Sequence, residues 1–244
     1  MTKRALFITL VLSAVAMAVV GAGYTLFGGA AYVMPGNASN RAVQLTSNTA
    51  NATTADDYSG IDFAVPAGMK FSDVAKLSTD YNFTHNSCGG GSPRFQINVV
   101  TPSNVTKNVF VYIGPAPSYT NCTTNLWTST GNLVAPGNFL DTGQLDGGTF
   151  YDTFAAADTK YGAYPVTGIQ LVVDASWFFT DGTQTVLVDN VMINDDTHTF
   201  EPTTSGACKD GGWKTFSFAP GPFKNQGDCV SYFATGGRNA GNGQ

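Results

Sequence analysis

Alternation of apolar and polar residues dominates the chain from residue 61 onward. Ile61, Phe63 and Val65 alternate with Asp62 and Ala64, and Phe95, Ile97 and Val99 alternate with Arg94, Gln96 and Asn98. A period of two puts every second side chain on one face of an extended backbone, so each run predicts a strand with one buried face. Residues 42–46 form a shorter candidate strand. Residues 108–113 are apolar on both faces, the pattern of a strand inside a sheet. Ile169, Leu171 and Val173 share a face in a further run. In the final run Val186 and Val188 fall opposite Leu187, Val191 and Ile193. Residues 148–161 fit a short helix through Phe150, Phe154 and Tyr161, and equally a strand through Tyr151 and Thr153.

Turn-forming clusters punctuate the runs: Gly-Gly-Gly-Ser-Pro at 89–93, Gly-Pro-Ala-Pro at 114–117, Ala-Pro-Gly-Asn at 135–138 and Thr-Asp-Gly-Thr at 180–183. Glycine supplies positive φ and proline pre-sets its own, so these breaks have a backbone cause. Many short strands, with no strong helix before residue 200, predict two packed antiparallel sheets. After Glu201-Pro202 the alternation stops. Residues 203–244 are glycine-rich, and residues 222–234 could form one short helix with Phe223, Val230 and Phe233 on a common face.

Composition supports this picture. Only 12% of the 244 residues are charged, against about 25% in an ordinary soluble domain. The polar character comes instead from 30 Thr, 18 Asn, 15 Ser and 28 Gly. With 17 Phe, 10 Tyr and 3 Trp the chain carries too much apolar surface to remain unfolded. The net charge of −5 argues against a phosphate-backbone partner, which would want a basic face.

Lys3 and Arg4 precede an uncharged stretch that runs to Arg41, with small residues around positions 14–23. A basic segment followed by an apolar one predicts a secretory signal peptide, or an uncleaved membrane anchor. Either way the remainder is exported, secreted or held at the cell surface. All four cysteines, Cys88, Cys122, Cys208 and Cys229, lie in that exported part. An even count in such a compartment predicts disulfides. Three pairings are possible, and sequence proximity favours Cys88–Cys122 with Cys208–Cys229. The spacings lack the close cysteine pairs of a zinc site. The expected organisation is thus a signal or anchor at 1–23, a linker at 24–40, a β-sandwich at 41–202, a disulfide-pinned appendage at 203–235 and a disordered tail at 236–244.

Arg41-Ala42-Val43-Gln44-Leu45 near the start and Gln184-Thr185-Val186-Leu187-Val188-Asp189-Asn190-Val191 near the end give the body its resemblance. It is similar to jelly-roll β-sandwiches of the carbohydrate-binding-module and galactose-binding-like kind. The tail, with Cys208-Lys-Asp-Gly-Gly-Trp213 and Gly227-Asp228-Cys229, resembles the ends of exported bacterial proteins of unknown function. The first resemblance implies a fold of class all-β and a possible structural calcium on an aspartate of the last strand, here Asp189. Calcium takes six to eight oxygen ligands, so backbone carbonyls or a distant carboxylate such as Asp62 would have to complete the shell.

Catalytic chemistry finds little support. A glycosidase needs two carboxylates at a set separation; the chain has one glutamate, Glu201, and no spacing pairs Asp152, Asp174 or Asp189. Gly90-Gly91-Ser92-Pro93 is not a nucleophile elbow, and 89–93 lacks the lysine and helix of a phosphate loop. His85 lies near a cysteine expected in a disulfide, and His198 falls in an exposed turn-like segment. Five Asn-x-Ser/Thr sites, at Asn37, Asn51, Asn82, Asn104 and Asn121, barely exceed chance.

Aromatic residues in loops are the better lead. Sugar rings present C–H faces that stack on Tyr and Trp, while their hydroxyls seek Asn, Asp and Gln. Tyr119 and Trp127 flank Cys122, Tyr161 and Tyr164 lie in a turn-prone segment, and Trp177 stands between two strands. Trp213 should pack on the appendage's cystine. The expected function is an exported non-catalytic protein that binds glycan or a cell-envelope component through these rings, without an organic cofactor. The alternative is a structural or adhesive surface protein that contacts other proteins, and a hydrolase ranks third.

Overall fold

The computed structural model describes residues 23–50 and 57–239. The predicted signal or anchor segment up to residue 22, Asn51 and the last five positions lie outside the described residues. Among the described residues no helix is long and apolar enough to cross a membrane.

Among the described residues thirteen strands form the body: β1 (Tyr24–Gly28), β2 (Ala31–Val33), β3 (Ala42–Asn48), β4 (Ser59–Phe63), β5 (Leu77–His85), β6 (Arg94–Val100), β7 (Thr106–Tyr112), β8 (Thr128–Ser129), β9 (Phe139–Leu140), β10 (Asp152–Thr153), β11 (Val166–Val173), β12 (Thr183–Ile193) and β13 (Asp196–His198). One sheet runs β1-β4-β11-β6-β7 and the other β2-β3-β12-β5-β8, with β13 on β12 and β9 paired with β10. Setting β1 and β2 aside and numbering the eight strands β3, β4, β5, β6, β7, β8, β11, β12 in chain order, the sheets read 2-7-4-5 and 1-8-3-6. That interleaving is a jelly roll, two Greek keys folded on each other. All pairings between these strands are antiparallel. The protein is therefore an antiparallel jelly-roll β-sandwich, as the alternating runs predict.

The core lies between the sheets. Ile61, Phe63, Phe95, Ile97, Ile169 and Leu171 come from one layer, and Val43, Leu45, Phe83, Val186 and Val188 from the other, all essentially buried. Each follows from the period of two: the apolar alternates turn inward and their polar neighbours outward.

Four expectations are corrected. The predicted linker at 24–40 contributes β1 and β2, which extend both sheets at one edge. The two apolar faces of β12 are one face. A bulge between Asp189 and Met192, with Asn190 at φ 47°, shifts the alternation by one, so Val186, Val188, Val191 and Ile193 are all buried. Residues 108–113 sit mostly in β7, an edge strand. Its outward Phe110 is covered by the Arg94 guanidinium, 4.8 Å from the ring centre, and Tyr112 packs on Tyr119 and Phe150. His198 is half-buried rather than exposed, 4.8 Å from the Phe63 ring, and burial holds its pKa below the usual value.

The ambiguous stretch at 148–161 contains both candidates: β10, then helix α1 (Phe154–Tyr161), capped by the Thr153 hydroxyl, which accepts from Ala156 N. In the appendage, helix α2 (Gln226–Ala234) begins later than predicted because Asn225 takes the N-cap, accepting from Asp228 N. Phe223, ahead of the helix, packs with Phe216, Phe233 and the Cys208–Cys229 disulfide. Trp213 lies against this small core. Cys88–Cys122 is the second disulfide, so proximity selects both pairings. The appendage meets the sandwich through buried Asn40: its amide donates to Ala219 O, its carbonyl accepts from Phe218 N, and Glu201 accepts from its backbone at 2.7 Å.

Candidate functional site

The outward face of the five-stranded sheet carries the most concentrated polar chemistry. Register places Thr25, Asp62, Gln170, Gln96 and Phe110 in one row across all five strands. The next row is Phe27, Gly60, Val172, Arg94 and Tyr112. Each of these residues outside the edge strands alternates with core residues, so its outward direction is dictated by the burial of its neighbours. Thr25, Asp62, Gln170 and Gln96 of the first row, with Phe27, Val172 and Arg94 of the second, line a groove of about 690 Å³, whose wall includes Asp57, Tyr58 and Asp174.

Its polar groups are held in place. Gln96 Nε2 donates to Gln170 Oε1 at 2.9 Å. Arg94 donates to both oxygens of Asp174, at 2.7 and 2.6 Å, and to Gly91 O at 3.1 Å. A bidentate pair of this kind locks the guanidinium plane, and the plane lies over Phe110. Phe27 and Tyr58 form the opposite wall, their ring centres 6.1 Å apart. Gly60 allows that wall, since a Cβ there would run into the Phe27 ring. Arg94 Nε, Asn98 Oδ1 and Asp57 Oδ1 are buried with no protein partner. Polar atoms of that kind are uncommon in folded proteins.

A second cleft, about 560 Å³, opens at the side of the sandwich between the β7 edge and the β5–β8 edge. Tyr81, Tyr112, Tyr119 and Phe139 supply rings, with Asn121, Thr130 and Asn138 among the polar residues. Among the described residues no charged side chain lines it. The Cys88–Cys122 disulfide anchors the 113–123 segment that forms one wall. Tyr119 is 5% exposed and its hydroxyl has no protein partner. Burial, then Tyr151 and Asp141, pushes that hydroxyl's pKa up to about 12, so it is a neutral donor.

The aromatic residues singled out in the sequence do not converge. Tyr119 lines the side cleft. Trp127 is half-buried just ahead of β8. Tyr161 is a core residue whose hydroxyl donates to Asp146 O, and Tyr164 packs on it at 5.5 Å. Both precede β11, whereas Trp177 follows that strand, on a single 3₁₀ turn at the other end of the sandwich. Trp177 is 65% exposed. Sequence reasoning passed over Arg94, Gln96 and Gln170 and considered Asp62 only as a calcium ligand, although the signal was present. The polar alternates of these strands are amides, an arginine and an aspartate, not the Thr, Lys and Glu of a plain solvated face.

Asp189 is fully buried. One carboxylate oxygen accepts from Asn37 N at 2.9 Å and Ser39 Oγ at 2.5 Å, and the other from Asn190 N at 2.8 Å. Burial pushes its pKa up, and these hydrogen bonds oppose the rise without cancelling it. The groups aimed at Asp189 are N–H and O–H donors, where a cation would need oxygen acceptors. Among the described residues no three His, Cys, Asp or Glu side chains gather around a common point. The donor set therefore does not fit calcium; it fits a tether that ties residues 36–39 to β12. The candidate acids for hydrolysis are likewise engaged: Asp152 with Lys160 at 2.7 Å and Asp174 with Arg94.

No family model matches the chain, and no curated protein matches it. Solved structures do. A family 11 carbohydrate-binding module of a cellulosomal cellulase from Clostridium thermocellum matches at 13% identity and TM-score 0.36, covering 72% of this chain and 88% of that one. An exo-β-agarase matches at 12% identity and TM-score 0.35, over 73% of this chain and 24% of its own length. The xyloglucanase domain of NopAA, a type three effector from Sinorhizobium fredii, solved with cellobiose, matches at 11% identity and TM-score 0.28, over 73% and 89%. The jelly-roll assignment rests on the strand order itself.

Proposed function

We propose that this is an exported, non-catalytic glycan-binding protein whose binding surface is the groove on the five-stranded sheet. The observation that carries the reading is the row Asp62, Gln170, Gln96 with Arg94 beside it, walled by Phe27 and Tyr58 on one side, with Phe110 and Tyr112 next in register on β7 at the other. Amides and a fixed guanidinium meet hydroxyls in directed hydrogen bonds, and ring faces accept sugar C–H groups. Apolar walls with a few fixed polar groups are the general form of a ligand site. Two disulfides support an oxidising compartment.

Affinity electrophoresis in gels cast with cellulose derivatives, xyloglucan, mixed-linkage β-glucan, xylan, agarose and chitin derivatives tests the reading. Retardation by at least one polysaccharide is expected, and Gln96→Ala with Gln170→Ala should abolish it. Free migration through every gel would overturn the proposal.

A surface protein that contacts other proteins is the second reading, and Trp177 and Phe178 favour it. They are 65% and 48% exposed side by side on one turn. Cross-linking from position 177 on glycan-stripped cells would capture a protein partner in that case.

A further inference from the structure

We propose that a bound chain continues from the sheet groove over the β7 edge into the side cleft, so that the protein distinguishes long polysaccharide chains from short ones. This rests on the glycan reading of the groove. Tyr112 joins the two surfaces: it lines the side cleft and stands in the sheet register directly beside Arg94, which lines the groove. From Tyr112 a file of rings leads outward. Phe150 lies 5.7 Å from Tyr112, Tyr151 lies 4.7 Å from Phe150, and Phe139 lies 5.9 Å from Tyr151. Phe139 is itself part of the cleft wall.

Phe139, Phe150 and Tyr151 are 41%, 44% and 46% exposed. A lone exposed ring is ordinary on a protein surface, but a contiguous strip of them marks a contact site. The rings are also fixed. Tyr151 donates its hydroxyl to Pro117 O at 2.9 Å and stacks on Tyr119, their planes 17° apart. Rings already held in place lose little conformational freedom on binding.

The cleft's chemistry selects the occupant. Its lining is uncharged, and Asn121, Thr123, Ser129, Thr130 and Asn138 contribute hydroxyl or amide groups. Uncharged donors and acceptors beside ring faces suit a neutral, hydroxyl-rich chain. A polyanion would find no cationic side chain among the described lining residues. The path is long: crossing the five strands of the sheet alone takes roughly 19 Å at the usual strand spacing. A short oligosaccharide in the groove would not reach the strip.

The experiment measures Kd for a size ladder of oligosaccharides from the polysaccharide retained in the gel panel, on the wild type and on Phe139→Ala/Phe150→Ala. Wild-type affinity should rise with chain length. The variant should bind short oligosaccharides as wild type does and lose about five- to tenfold on long ones, equivalent to roughly 1–1.4 kcal/mol. Hydroxyl-radical footprinting of the wild type, which needs no variant, should show Tyr151 and Phe139 protected by long chains and not by short ones. Equal loss at every length, or no loss with no protection, overturns the extension while leaving the groove intact. Retention of no polysaccharide in the panel overturns both. Protection of the strip by a protein partner in place of long chains also overturns the extension.

Discussion

Replacing Asp189 by alanine should loosen the loop that it ties down and destabilise the sandwich by about 3 kcal/mol. The figure follows from its partners. Asn37 N and Asn190 N would lose their acceptors, and a buried unsatisfied donor costs roughly 1–3 kcal/mol. The Ser39 hydroxyl has a second acceptor in Arg41 O and adds less. Relief from burying a carboxylate offsets part of the sum. For a domain of this size 3 kcal/mol corresponds to a fall in Tm of roughly 6–12 °C. Asp189→Asn keeps the shape and one acceptor and should cost less, about 1–2 kcal/mol.

Differential scanning calorimetry, with and without chelator and added calcium, measures both. Chelator should leave the wild-type Tm unchanged, because a native-state ligand would otherwise raise it by mass action. The pH dependence has a definite sign. The folded pKa of Asp189 is raised, so its contribution is fully present below the ordinary carboxylate pKa of about 3.9 and is lost as pH rises through the folded value. The advantage of wild type over Asp189→Asn should therefore shrink as pH rises above about 4. A calcium-dependent Tm in the wild type that vanishes in the variant would refute the tether. So would a cost to Asp189→Ala below about 1 kcal/mol, the value of a single ordinary hydrogen bond.

Cys208→Ser with Cys229→Ser should cost the appendage roughly 3 kcal/mol on the chain-entropy model, for cysteines 21 positions apart. Hydrogen exchange should then accelerate across the appendage and not in the sheets. Burial works to raise the Asp152 pKa, but hydrogen bonds from Lys160 and Thr142 outweigh it and hold the carboxyl low. Its contribution is present above the ordinary carboxylate pKa and lost as pH falls, so Lys160→Met should flatten the acid limb of a Tm–pH profile. Trp177→Ala removes a 65% exposed side chain and should change stability by no more than about 0.5 kcal/mol in a denaturant titration.

Much of the fold is legible in the chain because strand burial writes itself as a period of two. Phe95, Ile97 and Val99 announce their inward face and Arg94, Gln96 and Asn98 their outward one, and both directions hold in β6. The turn clusters and the even count and spacing of the four cysteines are equally local signals, and they yield the breaks between strands and both disulfide pairings. The bulge at Asn190 was not legible, since a one-residue shift in phase looks in sequence like a change of face. Nor was the edge position of β7. Its two apolar faces signal cover, and here the cover is Arg94 and a neighbouring loop instead of another layer.

The candidate site divides along the same line. Composition alone determined that this protein would be layered strands, rich in uncharged polar groups and rings, because those residues favour pleated and turning backbone and too few charges exist to solvate helices. Which of those groups meet was decided by strand order. Arg94, Asp174, Gln96 and Gln170 come from strands and loops far apart in the chain, joined by the β11–β6 pairing. Tyr161 and Trp177, close in sequence, are separated by the length of β11. Cross-strand neighbours depend on topology and register, which no local pattern of side chains encodes, and so the groove exists only once the two sheets have closed.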